Sequence, residues 1–247
     1  MIIEDEGIII SKLKYGENSL IIKIFTRENG VCSGLLKGIK KYGAVAQVGN
    51  FVKTEWKGRL TEHLGNFSLE LLKPYSSDFF SCYKKMLALN SASAVLAKVM
   101  PEKESYKQLY FSYIQLLDSL RGENWVQDYV MFELNVLQTM GFGLDLASCV
   151  ATGTTSELVY ISPKSGAAVS RDAGQAYHDK LFQMPTFFRD GSEKATSNTQ
   201  EILEGLRITR YFMAKYLFAE FNYSMPSVCH EFFENITKAY AEPASAA

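Results

Sequence analysis

Between Gly7 and Tyr75 the hydrophobic positions come in short runs broken by polar ones: "GIIISKL", "SLIIKIFT", "VCSGLLKG", "FVKTEWKG" and "HLGNFSLELL". Runs of this length, rich in β-branched and aromatic residues, form strands. Between them "KYGEN", "RENG", "KKYGAVAQVGN" and "KGRLTE" supply turn chemistry. Five strands in about 70 residues, with no long helical pattern between most of them, predict a small closed or partly open barrel. The five-stranded OB-fold is the commonest such solution, and its open face and loops often hold oligonucleotides.

After "KPYSSD" the period of the pattern lengthens to about 3.6 residues. One helix is predicted over Ser81 to Val99, halted by Pro101, and a second over Glu104 to Leu120. The second carries Tyr106, Leu109, Tyr110, Tyr113, Leu116, Leu117 and Leu120 at spacings of three and four. A third runs from Trp125 to Met140, with Gly141 where a left-handed cap favours glycine. Asn198 and Glu201 resemble a capping box that opens a long helix through Phe221. A last helix, "VCHEFFENITKAY", follows Pro226. Asp145 to Arg189 is dense in Gly, Ser and Thr with short β-like pieces such as "ELVYIS", followed by a loop around "RDGSEKATS". The expected organisation is a barrel domain at 1–78 and a mainly helical domain at 79–240, with an insertion and loop at 145–189 and a frayed tail at 241–247. The fold class is therefore α+β and multidomain.

Composition adds exclusions. At 47% hydrophobic and 21% charged the chain is globular. The charge-free run Met86–Ala97 is too short and too polar to span a bilayer, so no membrane partner is expected. The acidic start "MIIEDEG" argues against a signal peptide and for a cytoplasmic protein. Four cysteines (Cys32, Cys82, Cys149, Cys229) form no CxxC pair and read as reduced thiols. There is no HExxH, GxSxG, P-loop or GxGxxG, and neither an enzyme nor a cofactor is expected. His63 beside Glu62 is a surface histidine in a turn before it is an acid–base pair.

Charge distribution points to a binding role. Residues 1–75 hold 11 basic and 8 acidic side chains, and the remaining 172 hold 15 and 19. A polyanion would meet the basic front end. Lys37, Lys40 and Lys41 cluster in "LLKGIKKYG", and Lys53, Lys57 and Arg59 follow on the next hairpin. Lysines beside exposed rings such as Tyr42, Phe51 or Trp56 are what a single-strand binder needs, charge for phosphate and a ring for the base. The alternative is that these lysines only keep barrel edges solvated and that Trp56 is core. Arg207 and Arg210, with Lys215 beyond them, either extend a phosphate track or pair with carboxylates of the helical body. The Met, Phe and Tyr stripe of the helices is mostly core, with a groove for a partner peptide as the alternative.

"KLKYGENSLIIKIFTRENGVCSGLLKGIKK" resembles the N-terminal barrel of the RecO family of recombination mediators. "FELNVLQTMGFGLDLASCVATG" resembles that family's FEL…LGYGLDL…C segment, and "YISPKSGAAVSRDAG" its YxSPxxG insertion. "LRITRYFMAKYL" and "MPSVCHEFF" fall where the family places its last helices. The resemblance implies an OB barrel, a helical domain and a zinc-ribbon-like insertion. It also implies a protein without covalent chemistry that binds single- and double-stranded DNA and anneals complementary strands. With RecR, such a protein helps RecA filaments displace single-stranded-DNA-binding protein (SSB), whose acidic C-terminal tail docks on the helical domain. The likeness favours a DNA role for Lys37, Lys40 and Lys41, and less strongly for Arg27, Lys57 and Arg59. The other class of function open to such a chain is an adaptor whose barrel meets proteins alone.

The chain also departs from the family. "SVCHEFFE" lacks the basic residues many members carry there, and "VQDYVMFEL" lacks an arginine near the start of the third helix. Where many members place CxxC…CxxC around zinc, this chain has Cys149, Thr152, Ser170 and Ala173. One ligand in four predicts no zinc, and Cys149 is expected to be a small packed residue.

Overall fold

The computed structural model describes residues 1–59, 64–190 and 198–241. His63, Glu62, most of the "RDGSEKATS" loop and nearly all of the tail lie outside the described residues. The chain divides into two compact units, Met1–Arg121 with Met225–Asn235, and Gly122–Ser224 with Ile236–Ala247. The first two long helices thus group with the barrel.

In the first unit the alternating runs become β1 (Ile2–Tyr15), β2 (Ser19–Thr26), β3 (Gly30–Lys37), β4 (Phe51–Lys57) and β5 (Gly65–Lys73), with a short helix α1 (Ile39–Tyr42) between β3 and β4. They close into a barrel in the order β1-β2-β3-β5-β4, the arrangement of an OB-fold. All pairings are antiparallel except β3 with β5. Period-2 alternation sends Ile9, Ile22, Ile24, Leu36, Val52, Trp56 and Phe67 into the interior. The strand crossing is tight: a Cβ on Gly34 would stand 2.6 Å from the Phe67 ring, so only glycine lets β3 meet β5 there.

β1 is long because it serves two neighbours, pairing with β4 through Ile2–Ile8 and with β2 through Gly7–Tyr15. A register shift between Ile9 and Ser11 marks a bulge at Ile10. α2 (Tyr75–Asp78), α3 (Tyr83–Val99) and α4 (Lys107–Ser119) follow, and α3 packs along β1. The chain between α1 and β4 is pinned by buried Asn50. Its amide donates to the Ala44 and Val45 carbonyls at 3.2 and 3.0 Å and accepts from Ser76 N and Oγ at 3.2 and 2.8 Å. Each polar atom of this side chain is satisfied, as a buried amide requires.

In the second unit α5 (Trp125–Thr139) ends as the glycine signal predicts: Gly141 adopts φ +85° and Phe142 N donates to the Leu137 carbonyl at 2.8 Å. The insertion folds into β6 (Leu158–Ile161), β7 (Ala168–Ser170) and β8 (Phe182–Gln183), an antiparallel sheet of order β7-β6-β8. The short helix α6 (Arg171–Gly174) lies between β7 and β8, and α7 (Phe187–Asp190) follows β8. α8 (Thr199–Phe212) continues as a π-helical turn at Met213–Phe218. Asn198 caps α8 by accepting the Glu201 N–H at 2.9 Å, but the Glu201 carboxylate takes the Thr186 N–H instead of closing the box. α9 (Ser227–Ala241) is the last element among the described residues, and Met225–Asn235 belong to the first unit. Among the described residues no helix is long and apolar enough to cross a membrane.

Candidate nucleic-acid interface

One end of the barrel collects the lysines. Register places Tyr15 opposite Ser19 and Ser19 opposite Lys37, so Tyr15 and Lys37 share a face of the sheet. Lys12 and Lys14, two residues apart, share the other face. The turn between β1 and β2 then grips the loop after β3. The Asn18 carbonyl accepts Gly38 N at 2.8 Å, and its side-chain oxygen accepts Ile39 N at 3.1 Å. Gly38 makes this possible at φ +90°, a conformation that disfavours side chains. Lys40 and Lys41, on α1, are thereby held beside the hairpin tip. All five lysines are exposed. Within residues 10–22 and 36–48 they face one carboxylate, Glu17.

The rings divide differently from the sequence expectation. Trp56 is 2% exposed, donates Nε1–H to the Ser33 carbonyl at 3.1 Å and belongs to the barrel core. Tyr42 is also buried in that core, under the Lys41 ammonium at 4.7 Å from its ring. Neither can stack on a base. Phe51 is half-buried. The ring that stands free at the lysine end is Tyr15, 57% exposed. Lys12, Lys14 and Tyr15 were missed because "KLKYGEN" reads as a strand end and a turn. The signal was present: two lysines precede a tyrosine at the tip of a hairpin.

The other candidates are dispersed. Arg27 occupies the β2–β3 turn, at the far end of those strands from Lys37, 3.3 Å from the Glu28 carboxylate and over the Phe111 ring. Lys53 lies directly between Glu6 and Glu70 in the sheet, and Lys57 is 2.7 Å from Glu55, so β4 offers little net charge. Arg59 is exposed where the described part of that loop ends. In the second unit Arg207 is 3.6 Å from Glu204 and over the Phe182 ring. Arg210 is half-buried and its charge acts on Glu133 of α5. Lys215 donates to the Pro163 and Lys164 carbonyls at 2.6 and 3.0 Å, with Tyr211 and Tyr216 hydroxyls on the same two residues, and so clamps the insertion to α8 and its π turn.

Two buried groups of the second unit titrate abnormally. Glu133 accepts a hydrogen bond from Thr209 Oγ1. Burial pushes its carboxyl up, against the pull of Thr209, Tyr129 and Arg210, to about 7. Cys149 is 2% exposed, as expected of a packed residue, and accepts the Ser170 N–H at 3.2 Å. Burial pushes the thiol up, but the hydroxyls of Ser170 and Thr152 and the N–H groups of Ser170 and Ala151 outweigh it and bring it down to about 6. Two of the other three positions that hold zinc in many family members, Thr152 and Ser170, thus direct hydrogen-bond donors at the Cys149 sulfur. Among the described residues no group of three or more His, Cys, Asp or Glu is placed to hold a metal ion.

A five-stranded barrel of this order, basic at one end and preceding a helical region with a three-stranded insertion, defines an OB-fold protein of mixed α+β class. Residues 1–75 match the family described as Recombination protein O N terminal, and residues 81–224 match Recombination protein O C terminal. The chain belongs to the RecO family. A DNA repair protein RecO of Rickettsia bellii is 38% identical over 237 residues, 96% of this chain and 97% of its own length. One from Wolbachia pipientis of Culex pipiens is 37% identical over 230 residues (91% and 95%), and one from a Bradyrhizobium strain 36% over 216 (86% and 87%).

Proposed function

We propose that this chain is a recombination mediator in DNA repair that holds DNA on the lysine end of its barrel. Family membership supports the role in repair and recombination. The observation that carries the DNA contact is the Asn18 bridge, which holds Lys40 and Lys41 beside the hairpin tip, where Lys37 shares a face with exposed Tyr15, Lys12 and Lys14 stand on the other face, and Glu17 is the one carboxylate within residues 10–22 and 36–48. Ammonium groups on flexible stems contact phosphates without reading bases, and a tyrosine face stacks on any base. Such a surface suits single- and double-stranded DNA alike and favours annealing, since it neutralises the repulsion between two backbones while leaving most base edges free. No step breaks a covalent bond, and the chain acts as a binding protein rather than an enzyme.

The family resemblance supports the remaining parts of this role: cooperation with RecR, docking of the SSB tail on the helical domain, and loading of RecA on SSB-coated strands in the cytoplasm. Annealing of complementary oligonucleotides by the purified protein tests the proposal. Acceleration that falls steeply with added salt is expected, and no acceleration at low salt overturns it.

A further inference from the structure

The barrel unit holds a groove of about 340 Å³ between β1 and α3. Its origin is local. The bulge at Ile10 bends β1, and Ala94 on α3 is too small to fill the space that this opens. Ile10, Val48 and Ala94 give it an apolar floor, Asn90 adds one amide, and Lys12 and Lys98 stand on its two sides. Among the described residues no carboxylate lines it. Beside it Lys23, opposite Ser11 in the sheet, donates to the Ala97 carbonyl at 3.2 Å and is 3.5 Å from Glu102. Lys12 donates to the neutral Gln47 amide oxygen, and burial lowers the pKa of its ammonium, so an arriving anion would relieve an existing cost.

We propose that this groove receives one nucleotide of the DNA strand held at the barrel end, the base against the apolar floor and flanking phosphates on Lys12 and Lys98. The proposal rests on the DNA role argued above. Three features favour a nucleotide: the volume lies at the low end for small-ligand sites, a flat apolar group fits the floor, and both charged groups on the rim are cations. Continuity decides the direction. Lys12 lines the groove and, two residues from Lys14, also belongs to the lysine end, so a strand crossing the hairpin enters without leaving positive charge.

The test is anisotropy of fluorescein-labelled oligo-dT on the full-length protein across a salt series. Ala94→Phe fills the groove without changing charge, and Lys98→Ala removes one rim cation at an exposed position. Each is expected to weaken binding about five- to tenfold, and Lys98→Ala to reduce the salt slope by about 0.7. Circular dichroism checks folding, and Lys98→Ala decides alone if Ala94→Phe unfolds. If both bind as the wild type while Lys37→Ala/Lys40→Ala is weakened, the groove is overturned and the barrel-end contact stands. If none of the three changes affinity, both fall. An acidic peptide whose binding needs Lys98 while oligo-dT binding does not would also overturn it.

Discussion

Asn18 and Gly38 are joined across the barrel end by a 2.8 Å hydrogen bond from the Gly38 N–H to the Asn18 carbonyl, and the Asn18 side chain repeats the grip on Ile39. The turn of one hairpin therefore sets where the lysines of the next loop stand. Replacing Asn18 with Ala removes the side-chain bond and keeps the backbone one. The lysines remain but lose their fixed placement. We expect oligo-dT affinity to fall about two- to fivefold, with an unchanged melting temperature within the usual surface range. Anisotropy and a thermal melt measure the two together.

Tyr15 and Trp56 separate stacking from stability. Tyr15→Ala should weaken oligo-dT binding by about 1–3 kcal/mol with the salt slope unchanged, since no charge is lost. Trp56→Ala should instead destabilise the barrel by about 3–5 kcal/mol, read in denaturant. A Tyr15→Ala protein that binds normally would show that the exposed ring contacts no base.

Asn50 is a structural anchor. Asn50→Ala leaves the Ser76 hydroxyl and N–H without this acceptor and removes the side-chain donor from the Ala44 and Val45 carbonyls, of which Val45 keeps the Gln47 N–H at 2.9 Å. A loss of about 1–3 kcal/mol in urea unfolding is expected. Asn50→Asp should keep the Ser76 bonds and lose the two carbonyl contacts.

Glu133 makes the second unit sensitive to pH. Its carboxyl is raised to about 7 in the folded state from about 4.3 in the unfolded chain. The folded state holds the proton longer, so its contribution is full below pH 4.3 and is lost as pH rises through 7. Glu133→Gln should abolish this fall and leave the protein more stable than the wild type at pH 8. Melting temperatures from pH 4 to 8 test it.

Cys149 has the opposite sign. Its thiol lies at about 6 when folded and about 8.5 when unfolded, so stability rises between those pH values and is lost as pH falls through 6. Cys149→Ala should remove the rise. Metal analysis of the purified protein is expected to find no zinc, and one zinc per chain would contradict the account of this site.

Much of this was legible locally. The alternation in "FVKTEWK" puts Val52, Thr54 and Trp56 on one face, so the burial of Trp56 was readable, and Asn198 and Gly141 do cap their helices, though Glu201 leaves the capping box open. Glu133 also shows itself, since it interrupts an apolar stripe beside Tyr129, Phe132 and Val136. What the chain conceals is non-local. Tyr15 shares a face with Lys37 only through the Ser19 register, Lys53 is flanked by carboxylates on two other strands, and Ser170 reaches Cys149 only when the insertion folds. Arg27 looked close to the lysines in sequence and is separated from them by the length of a strand. Lys215, read as part of a phosphate track or a partner of carboxylates, donates instead to two backbone carbonyls.

The most direct test of the central claim is the salt dependence of oligo-dT binding for the wild type and for Lys37→Ala/Lys40→Ala. If both lysines touch phosphates, log Kd rises linearly with log salt for the wild type, and the double variant lowers the slope by about 1.4 with weaker binding at every salt. A flat wild-type curve, or a double variant that follows the wild type, would contradict DNA binding at this end of the barrel.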